Sequence, residues 1–334
     1  MRNPGELSLS LVICTYQRPE PIRNLLNAIS EDISPPDEVI VIDGSPGSGT
    51  HEVVSGFIEK IQGLIYYQVD QSNRGLTRQR NVGIQMAKSD IIAFLDDDTI
   101  PCNGYFSQLR ECFVRHPDAI GVGGLIVGVL SWSKTKNSSK NSLSEFRWQE
   151  WAFSESVRWR VRNALGLGSA LPPGWIPEHG HGRSPGYPPD TGDHKVEHIM
   201  GGASAWKKRI FSTQRFSTYF EGYGLYEDLE FCIRASREGS LFVCTAAQLE
   251  HHHHQSGRPN HYQYGIMVVR NGWLVWRLRW SNPSVKNIIK WWLIEFLLTL
   301  LRLVDIRKGG FLEALGRFRG MVSIILKKPS LANL

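Results

Sequence analysis

The sequence predicts an α/β fold in which a mainly parallel sheet is flanked by helices and followed by a helical C-terminal region. Two observations support this prediction. As far as about residue 129, short β-rich apolar segments alternate with helical patterns, which is typical of parallel sheets covered on both faces. After the histidine run at His251–His254, the pattern is helical to the end of the sequence. The 334 residues, 41% of them hydrophobic, are enough for one large domain or two small ones.

The predicted sheet is built from five apolar segments: Leu9–Ile13, Glu38–Ile42, Leu64–Val69, Ile91–Leu95 and Ala119–Val129. A helix is expected from about Pro21 to about Ile33, because proline suits a first helical turn and Pro35-Pro36 stops the helix. In open α/β sheets, ligands bind at the carboxyl ends of the strands. Polar side chains follow three of these strands, at Thr15, Asp43 and Asp96.

A lysine-, asparagine- and serine-rich stretch at 131–144 marks the predicted domain division. We expect a ligand-binding half at 1–130, a second half at 131–280 and an amphipathic helical region at 281–334. The proline- and glycine-rich stretch Leu171–Asp193 is expected to be irregular and functional. The regular elements predicted after it are a helix at Tyr226–Glu238 and a strand at Leu241–Cys244.

The net charge and the cysteine pattern limit the classes of protein to which this sequence can belong. The formal net charge is +6, and the basic excess after residue 206 indicates an anionic surface or anionic ligands, with no nucleic-acid partner expected. The five cysteines contain no CxxC pair, so neither a disulfide framework nor a zinc knuckle is indicated and a reducing cytosol is expected. They are Cys14, Cys102, Cys112, Cys232 and Cys244.

The strongest local signal is an apolar strand that ends in three carboxylates, Asp96, Asp97 and Asp98. Like charges at a strand end are costly unless a cation neutralises them, so a hard divalent ion bridging Asp96 and Asp98 to a diphosphate is favoured. The alternative is an acidic turn that caps a helix beginning near Asn103. A phosphotransferase motif, Asp-x-Asp-x-Thr, is disfavoured because Ile100 stands where its threonine would be.

Four strings, taken in order, resemble a family 2 glycosyltransferase of the GT-A fold, which is Rossmann-like, nucleotide-sugar dependent and inverting. They are SLVICTYQRP with VIDGS, NRGLTRQRNVGI, FLDDDTIP, and GLYEDLEFCIRASREG followed by the histidine-rich segment. Together they cover roughly residues 8 to 275, and their joint order is more specific than any one of them.

The resemblance implies donor contacts from Thr15, Tyr16, Asp43, Arg80, Asp96 and Asp97. Thr15 and Tyr16 would line the nucleotide pocket, and Asp43 would bind the base or ribose, although an aspartate at a strand end is also an ordinary turn residue. Arg78 and Arg80 lie two apart and cannot point the same way from one helix. We therefore favour Arg80 as the donor-binding arginine, with a solvated helix face as the alternative.

The same resemblance implies a metal site and a catalytic base. Asp96, Asp98 and His251 would hold Mn²⁺ or Mg²⁺, and His253 is the next candidate if His251 is not the ligand. Asp228 would be the general base and Glu227 its supporting neighbour. Carboxylates at a helix start are also favoured by the helix dipole alone.

Two further segments face the acceptor by resemblance. Gly201–Trp206 resembles the glycine-rich strand that lets the sugar approach the backbone, with tight strand packing as the alternative. The remaining histidines near the proline-rich loop match no compact zinc motif and are interpreted as acceptor-loop residues or bystanders. They are His179, His181, His194 and His198.

The segment Ile288–Val304 is the longest apolar stretch, and three charges interrupt it, so no membrane-spanning helix is expected. Aromatic and basic residues on amphipathic helices suit the headgroups of an anionic membrane. We expect peripheral attachment at the cytoplasmic face of the membrane, where a lipid-linked acceptor would be found. A buried packing helix is the alternative.

The sequence as a whole therefore predicts a glycosyltransferase that moves a sugar from a nucleotide diphosphate, with UDP as the first choice, to a glycan or lipid-linked acceptor. A nucleotidyltransferase is disfavoured, because the stretch after the first strand, Cys14–Pro19, contains no glycine for a phosphate loop. A non-catalytic glycan-binding or scaffold protein of the same fold is the other alternative, although both acidic motifs are intact.

Overall fold

The computed structural model describes residues 7–135, 142–252, 260–305 and 309–330. These residues form two compact units. The first, called the sheet unit here, takes in the described residues up to Val129 and those of Pro185–Gly257. The second, the helical unit, takes in those of Leu130–Ser184 and Arg258–Leu334.

The described residues contain twelve strands and nine α-helices. The strands are β1 (Leu9–Thr15), β2 (Glu38–Asp43), β3 (Leu64–Gln68), β4 (Ile91–Asp96), β5 (Thr99–Pro101), β6 (Ala119–Ile126), β7 (Ser133–Lys134), β8 (Glu145–Trp148), β9 (Trp151–Ser154), β10 (Asp193–Val196), β11 (Ala203–Lys207) and β12 (Ser240–His251). The helices are α1 (Pro19–Ser30), α2 (Gly49–Ser55), α3 (Leu76–Met86), α4 (Tyr105–Arg115), α5 (Val157–Ala164), α6 (Glu227–Ala235), α7 (His261–Arg279), α8 (Val285–Leu303) and α9 (Gly310–Leu326).

The sheet unit is built on one mixed sheet with the strand order β10-β12-β6-β11-β4-β1-β2-β3, and β5 pairs with β12. The pairs β1–β2, β1–β4, β2–β3 and β6–β12 are parallel. Strand β11 runs antiparallel between β4 and β6. The predicted α/β fold with a largely parallel sheet is confirmed, and the antiparallel strands are the short β5 and, from the later part of the chain, β10 and β11.

Burial on both faces explains why the strands are almost continuously apolar. In β2 every residue is buried. Helix α1 covers one face with Ile22, Leu25, Leu26 and Ile29, whose spacing of three and four residues forms a single stripe along the helix. These side chains join the main core, in which the largest buried members from other elements include Phe106 and Phe113 of α4.

The helical unit packs α7, α8 and α9 around a tryptophan cluster. The indole rings of Trp273 and Trp291 meet edge to face with centroids 4.8 Å apart, and Trp276 stacks on Trp291 at 5.5 Å. Met321 and Ile324 of α9 close this small core. Among the described helices, none is long and apolar enough to cross a bilayer.

Two differences from the sequence prediction concern the later part of the chain. The strand predicted at Leu241–Cys244 is the twelve-residue β12, which continues past a register shift to His251. Residues of Pro185–Gly257 return to the sheet unit because β10, β11 and β12 all pair within its sheet. The half expected at 131–280 is therefore divided between the two units, and a unit boundary follows Val129.

Close contact between β6 and β11 generates a stability prediction. A Cβ added at Gly121 would lie 2.6 Å from Cζ3 of the buried Trp206 indole, which has no room to move. We expect Gly121→Ala to lower the free energy of unfolding by about 1–3 kcal/mol through overpacking. Gly47→Ala is the matched control, because nothing lies within 4 Å of its added Cβ. Urea unfolding followed by circular dichroism measures both, and equal midpoints would contradict the packing argument.

Candidate active site

Two carboxylates and an imidazole meet at the carboxyl edge of the sheet. Asp96 ends β4, Asp98 follows in the turn to β5, and His251 ends β12. Their ligand atoms all lie within 4.8 Å of one another, and His251 Nε2 is 3.0 Å from Asp98 Oδ1. The antiparallel pairing of Thr99 with His251 creates this proximity, and the His252 amide donates to the Asp98 carbonyl at 2.9 Å.

This donor set fits a divalent metal ion. Carboxylate oxygens suit the hard ions Mg²⁺ and Mn²⁺, and a neutral imidazole is a common additional ligand for Mn²⁺. The structure brings together the three residues predicted as metal ligands, Asp96 and Asp98 from the acidic triplet and His251 from the resemblance. The other candidate from the histidine run, His253, lies outside the described residues.

Asp97 faces away from this set and binds the end of β1. Its carboxylate accepts hydrogen bonds from Thr15 Oγ1 at 2.7 Å and from Arg18 Nη1 at 2.8 Å. Burial raises the pKa of Asp97 to about 6, although Arg18 and Thr15 oppose the shift. The Arg18 guanidinium also lies 3.7 Å from Asp98 Oδ2. The hydrogen bonds of the Asp97 carboxylate are thus made with Thr15 and Arg18, and its predicted contact with the donor stays a prediction.

The ends of β1 and β2 are joined by side-chain hydrogen bonds. Asp43 is fully buried and accepts from the Ser45 amide at 2.8 Å and from the Tyr66 hydroxyl at 2.9 Å. Gln79 Nε2 donates to the Thr15 carbonyl at 3.0 Å. Tyr16, next along the chain, is 45% exposed. This geometry orders the loop after β2, and the predicted nucleotide contacts of Asp43, Thr15 and Tyr16 stay predictions.

Arg80 links the two acidic motifs. It is 2% exposed, its Nη1 forms an ion pair with Glu227 Oε1, and its Nη2 lies 3.5 Å from Asp96 Oδ1. The guanidinium carbon lies 5.6 Å from the centroid of Phe94 and 5.2 Å from that of Phe216. Arg80 therefore positions two carboxylates in an apolar surround. Its predicted contact with the donor remains a prediction.

Asp228 lies at the start of α6 and keeps 19% of its side chain exposed. Its Oδ2 accepts from the Gly201 amide at 3.2 Å and lies 3.2 Å from His198 Nε2. Burial raises the pKa of Asp228, but His198 and the amides of Gly201 and Leu229 outweigh burial and leave the pKa below its ordinary value. The carboxylate is thus ionised at neutral pH and held in one orientation.

Glu227, beside it, is the more deeply buried acid of the pair. Burial and the adjacent charge of Asp228 raise the pKa of Glu227, while the Arg80 guanidinium opposes the shift. Because Glu227 is engaged with Arg80, Asp228 is the acid of the pair with both exposed surface and a histidine neighbour. The geometry thus distinguishes the two acids, and their predicted roles as base and supporting neighbour stay predictions.

Gly201 and Gly202 lie between the two acidic groups. A Cβ at Gly202 would lie 2.2 Å from Asp96 Oδ2, and one at Gly201 would lie 2.8 Å from Glu227 Oε1. The Gly202 carbonyl also accepts from the Asp96 amide at 3.3 Å. Glycine at both positions is what allows the metal-suited set and the acidic pair to approach one another.

A family model described as "Glycosyl transferase family 2" matches residues 10–166, which include Asp96, Asp98 and Arg80. The chain carries a family 2 glycosyltransferase domain. That family assignment confirms the resemblance predicted from the four sequence strings. The remaining acidic pair, at Glu227-Asp228, lies in the same sheet unit but outside the matched range.

Several known proteins are similar to this chain. A glucosyl-dolichyl phosphate glucuronosyltransferase of Haloferax volcanii is 26% identical over 201 residues, which cover 58% of this chain and 60% of the relative. The match therefore spans less than two thirds of that relative's length.

Solved structures support the GT-A fold. The Pyrobaculum calidifontis mannosyltransferase PcManGT, in complex with GDP-Man and Mn²⁺, has a TM-score of 0.52 and 14% identity, covering 98% of this chain and 77% of that one. S. aureus TarS 1-349 in complex with UDP has a TM-score of 0.50 and 14% identity, covering 98% and 76%. At this identity the likeness establishes the fold alone.

Two residues of the candidate site are not predicted from the sequence. Arg18 enters the sequence argument only as part of a stretch without glycine, yet it follows β1 at the same edge as the acidic turn and pairs with Asp97. For His198 the sequence predicts an acceptor-loop residue or a bystander, yet it contacts Asp228. The place of Arg18 just beyond a strand end was the signal available for it. No sequence spacing links His198 with Asp228.

The buried position of Arg80 leads to a prediction about this domain. Arg80→Ala leaves Glu227 buried beside Asp228 with no cation, so the free energy of unfolding should fall by about 3–5 kcal/mol. Arg78→Ala, two residues away on α3, removes a partly exposed pair with Glu221 and a hydrogen bond to the Ser72 carbonyl, and should cost about 1 kcal/mol. Urea denaturation followed by circular dichroism compares them. Similar losses of unfolding free energy in the two variants would show that the buried ion pairs of Arg80 make no special contribution to stability.

Proposed function

We propose that this chain transfers a sugar from a nucleotide-diphosphate donor to a hydroxyl of a glycan or lipid-linked acceptor, with inversion at the anomeric carbon. The proposal rests on one observation: a set of side chains suited to bind a metal ion lies near an oriented carboxylate, with two glycines between them. The set is Asp96, Asp98 and His251, and the carboxylate is Asp228. The family 2 domain supports the same reaction class.

Asp228 is the proposed general base. Its carboxylate takes the proton of the acceptor hydroxyl as that oxygen forms a bond to the anomeric carbon and the nucleotide diphosphate departs from the opposite face. His198 and the Gly201 amide hold the carboxylate in place through the hydrogen bonds already described. A Mn²⁺ or Mg²⁺ ion held by Asp96, Asp98 and His251 would offset the charge on the departing diphosphate.

The proposal extends to the substrate classes. UDP is the proposed nucleotide, with Tyr16 and the β1 and β2 ends as its pocket. A lipid-linked acceptor is proposed because the Haloferax volcanii relative is named for a dolichyl phosphate substrate. A non-catalytic glycan-binding protein with this fold is the competing function, and the experiments below separate it from the transferase.

Beside its tryptophan core, the helical unit buries charged side chains and exposes apolar ones, which supports peripheral attachment to a membrane. In α8, Glu295 is 1% exposed and pairs with Arg317 of α9 at 3.2 Å. Arg317 also pairs with Glu313 at 3.1 Å. The charged residues that interrupt the apolar segment of α8 thus include one that points inward, which leaves the outward surface richer in leucine and phenylalanine.

We call the outward residues the apolar face: Ile289, Leu293, Phe296, Leu300 and Leu303 of α8 with Phe311, Leu315, Phe318 and Ile325 of α9. On each helix they recur at intervals of three, four or seven residues, which forms a stripe. Their exposure ranges from 42% at Leu300 to 71% at Ile325. Exposed lysines and arginines, Lys286, Arg319 and Lys327 among them, suit the anionic headgroups beside such a face.

One pair of variants separates the proposed metal-binding role of Asp98 from the proposed role of Asp228 as the base. Asp98→Ala should abolish Mn²⁺-dependent binding of nucleotide diphosphates, whereas Asp228→Asn should bind them normally yet transfer sugar about 10²–10⁴-fold more slowly. Calorimetry with UDP, GDP, dTDP and CDP, with Mn²⁺ and then with chelator, measures binding. Radiolabelled UDP-hexoses and UDP-hexuronates with a polyprenyl-phosphate glycan measure transfer.

Glu59→Gln, an exposed carboxylate outside both acidic groups, is the control for these variants. Full transfer by Asp228→Asn would remove Asp228 from the role of base. Binding of a diphosphate without transfer to any acceptor by the parent chain would favour the glycan-binding alternative. No diphosphate binding by the parent chain would contradict the proposed function as a whole.

The apolar face gives a prediction of its own. Phe296→Glu combined with Phe318→Glu should reduce cosedimentation with vesicles containing anionic lipid about tenfold or more, because both side chains would enter the headgroup region. The unfolding midpoint should hardly change, since both residues are exposed. Ser330→Glu, exposed and outside the stripe, is the control. Undiminished cosedimentation of the double variant would show that the face does not bind lipid.

A further inference from the structure

A second group of metal-ligating side chains lies in the sheet unit, apart from the donor site. The thiols of Cys112 and Cys244 and the carboxylate of Asp193 have ligand atoms all within 4.8 Å of one another. Both cysteines are fully buried. Cys112 comes from α4, Cys244 from β12, and Asp193 is paired with Cys244 as the first residue of β10. We call these three residues the thiol cluster.

The carboxylate of the thiol cluster is held in place by two neighbouring side chains. Arg115 Nε lies 2.8 Å from Asp193 Oδ2, and His116 Nε2 lies 2.9 Å from the same oxygen. Arg115 also reaches within 3.7 Å of the Cys244 sulfur. Hydrogen bonds to a ligating carboxylate are a regular feature of protein metal sites, where they orient the ligand. The proposed donor chemistry uses none of these side chains.

We propose that the thiol cluster binds Zn²⁺ through Cys112 Sγ, Cys244 Sγ and the Asp193 carboxylate. Two thiolates favour a soft or borderline ion over Mg²⁺ or Mn²⁺, and Zn²⁺ accepts sulfur and carboxylate ligands together. Binding releases the two thiol protons to solvent. The ligands then carry a charge of −3, which the ion and the Arg115 guanidinium together neutralise.

Such an ion would join α4 to β10 and β12, and its role would be structural. It is separate from the donor site, because the two groups share no residue and His251 lies seven residues beyond Cys244 on β12, past the register shift between Cys244 and Gln248. The two sites would also prefer different metals, since one offers carboxylates with an imidazole and the other offers thiolates. This difference makes them separable by experiment.

The test is a titration of the full, reduced chain with Cd²⁺, which reports thiolate ligation by an ultraviolet charge-transfer band. The Asp98→Ala background removes the donor-site metal, so the result does not depend on the proposed transferase activity. We expect the band to saturate at one equivalent. We also expect Zn²⁺ to raise the melting temperature of the same protein and a chelator to reverse the rise.

Three variants in that background define the outcome. Cys112→Ser with Cys244→Ser should lose the band, whereas Cys102→Ser, an exposed cysteine outside the thiol cluster, should keep it. Asp193→Asn retains both thiols and should weaken Zn²⁺ binding about 10–100-fold, which covers the case where the double variant fails to fold.

Each contrary result would overturn the proposal. Absence of the band in the parent protein, or its persistence in a folded double-serine variant, would exclude ligation by these two sulfurs. Unchanged Zn²⁺ affinity in Asp193→Asn would exclude the carboxylate as a ligand. Mass spectrometry of the protein purified without reductant would contradict the metal site if it found Cys112 and Cys244 joined in a disulfide with no metal bound.

Discussion

The Arg80 guanidinium is the interaction on which the candidate site depends. It lies between phenylalanine rings and engages Glu227 and Asp96, which belong to acidic motifs far apart in the sequence. Without a cation there, three carboxylates near Gly201 and Gly202 would repel one another in a poorly hydrated place. Because Arg80 satisfies the buried Glu227, Asp228 is left as the acid with exposed surface beside His198.

The three consecutive aspartates at the end of β4 and in the turn after it face two different surroundings. Asp96 and Asp98 direct ligand atoms toward His251, while Asp97 between them faces Thr15 and Arg18. Asp97 and Asp98 lie in the turn between β4 and β5, and this turn directs the three side chains to two different surroundings. The raised pKa of Asp97, about 6, follows from burial on the inner side. The three adjacent aspartates therefore differ in their contacts and surroundings, although they are the same amino acid.

The sequence predicted the α/β fold and the place of the acidic edge because both follow from local patterns. Buried parallel strands are continuous apolar runs, and polar residues after them lie at one edge. It could not predict that β12 extends to His251 past a register shift, which depends on pairing with β5 and β6. The contact of His198 with Asp228 and the thiol cluster escaped for the same reason, since their members meet only through tertiary structure.

The uneven placement of aromatic residues has a practical consequence for anyone who follows unfolding by intrinsic fluorescence. Of the eleven tryptophans in the sequence, ten belong to the helical unit, and several contact one another there. Only Trp206 reports from the sheet unit, where its ring lies 4.7 Å from that of Phe231. Emission from the parent chain therefore reports mainly the helical unit, and a variant that keeps Trp206 but lacks the other ten tryptophans would be needed to follow the sheet unit by fluorescence.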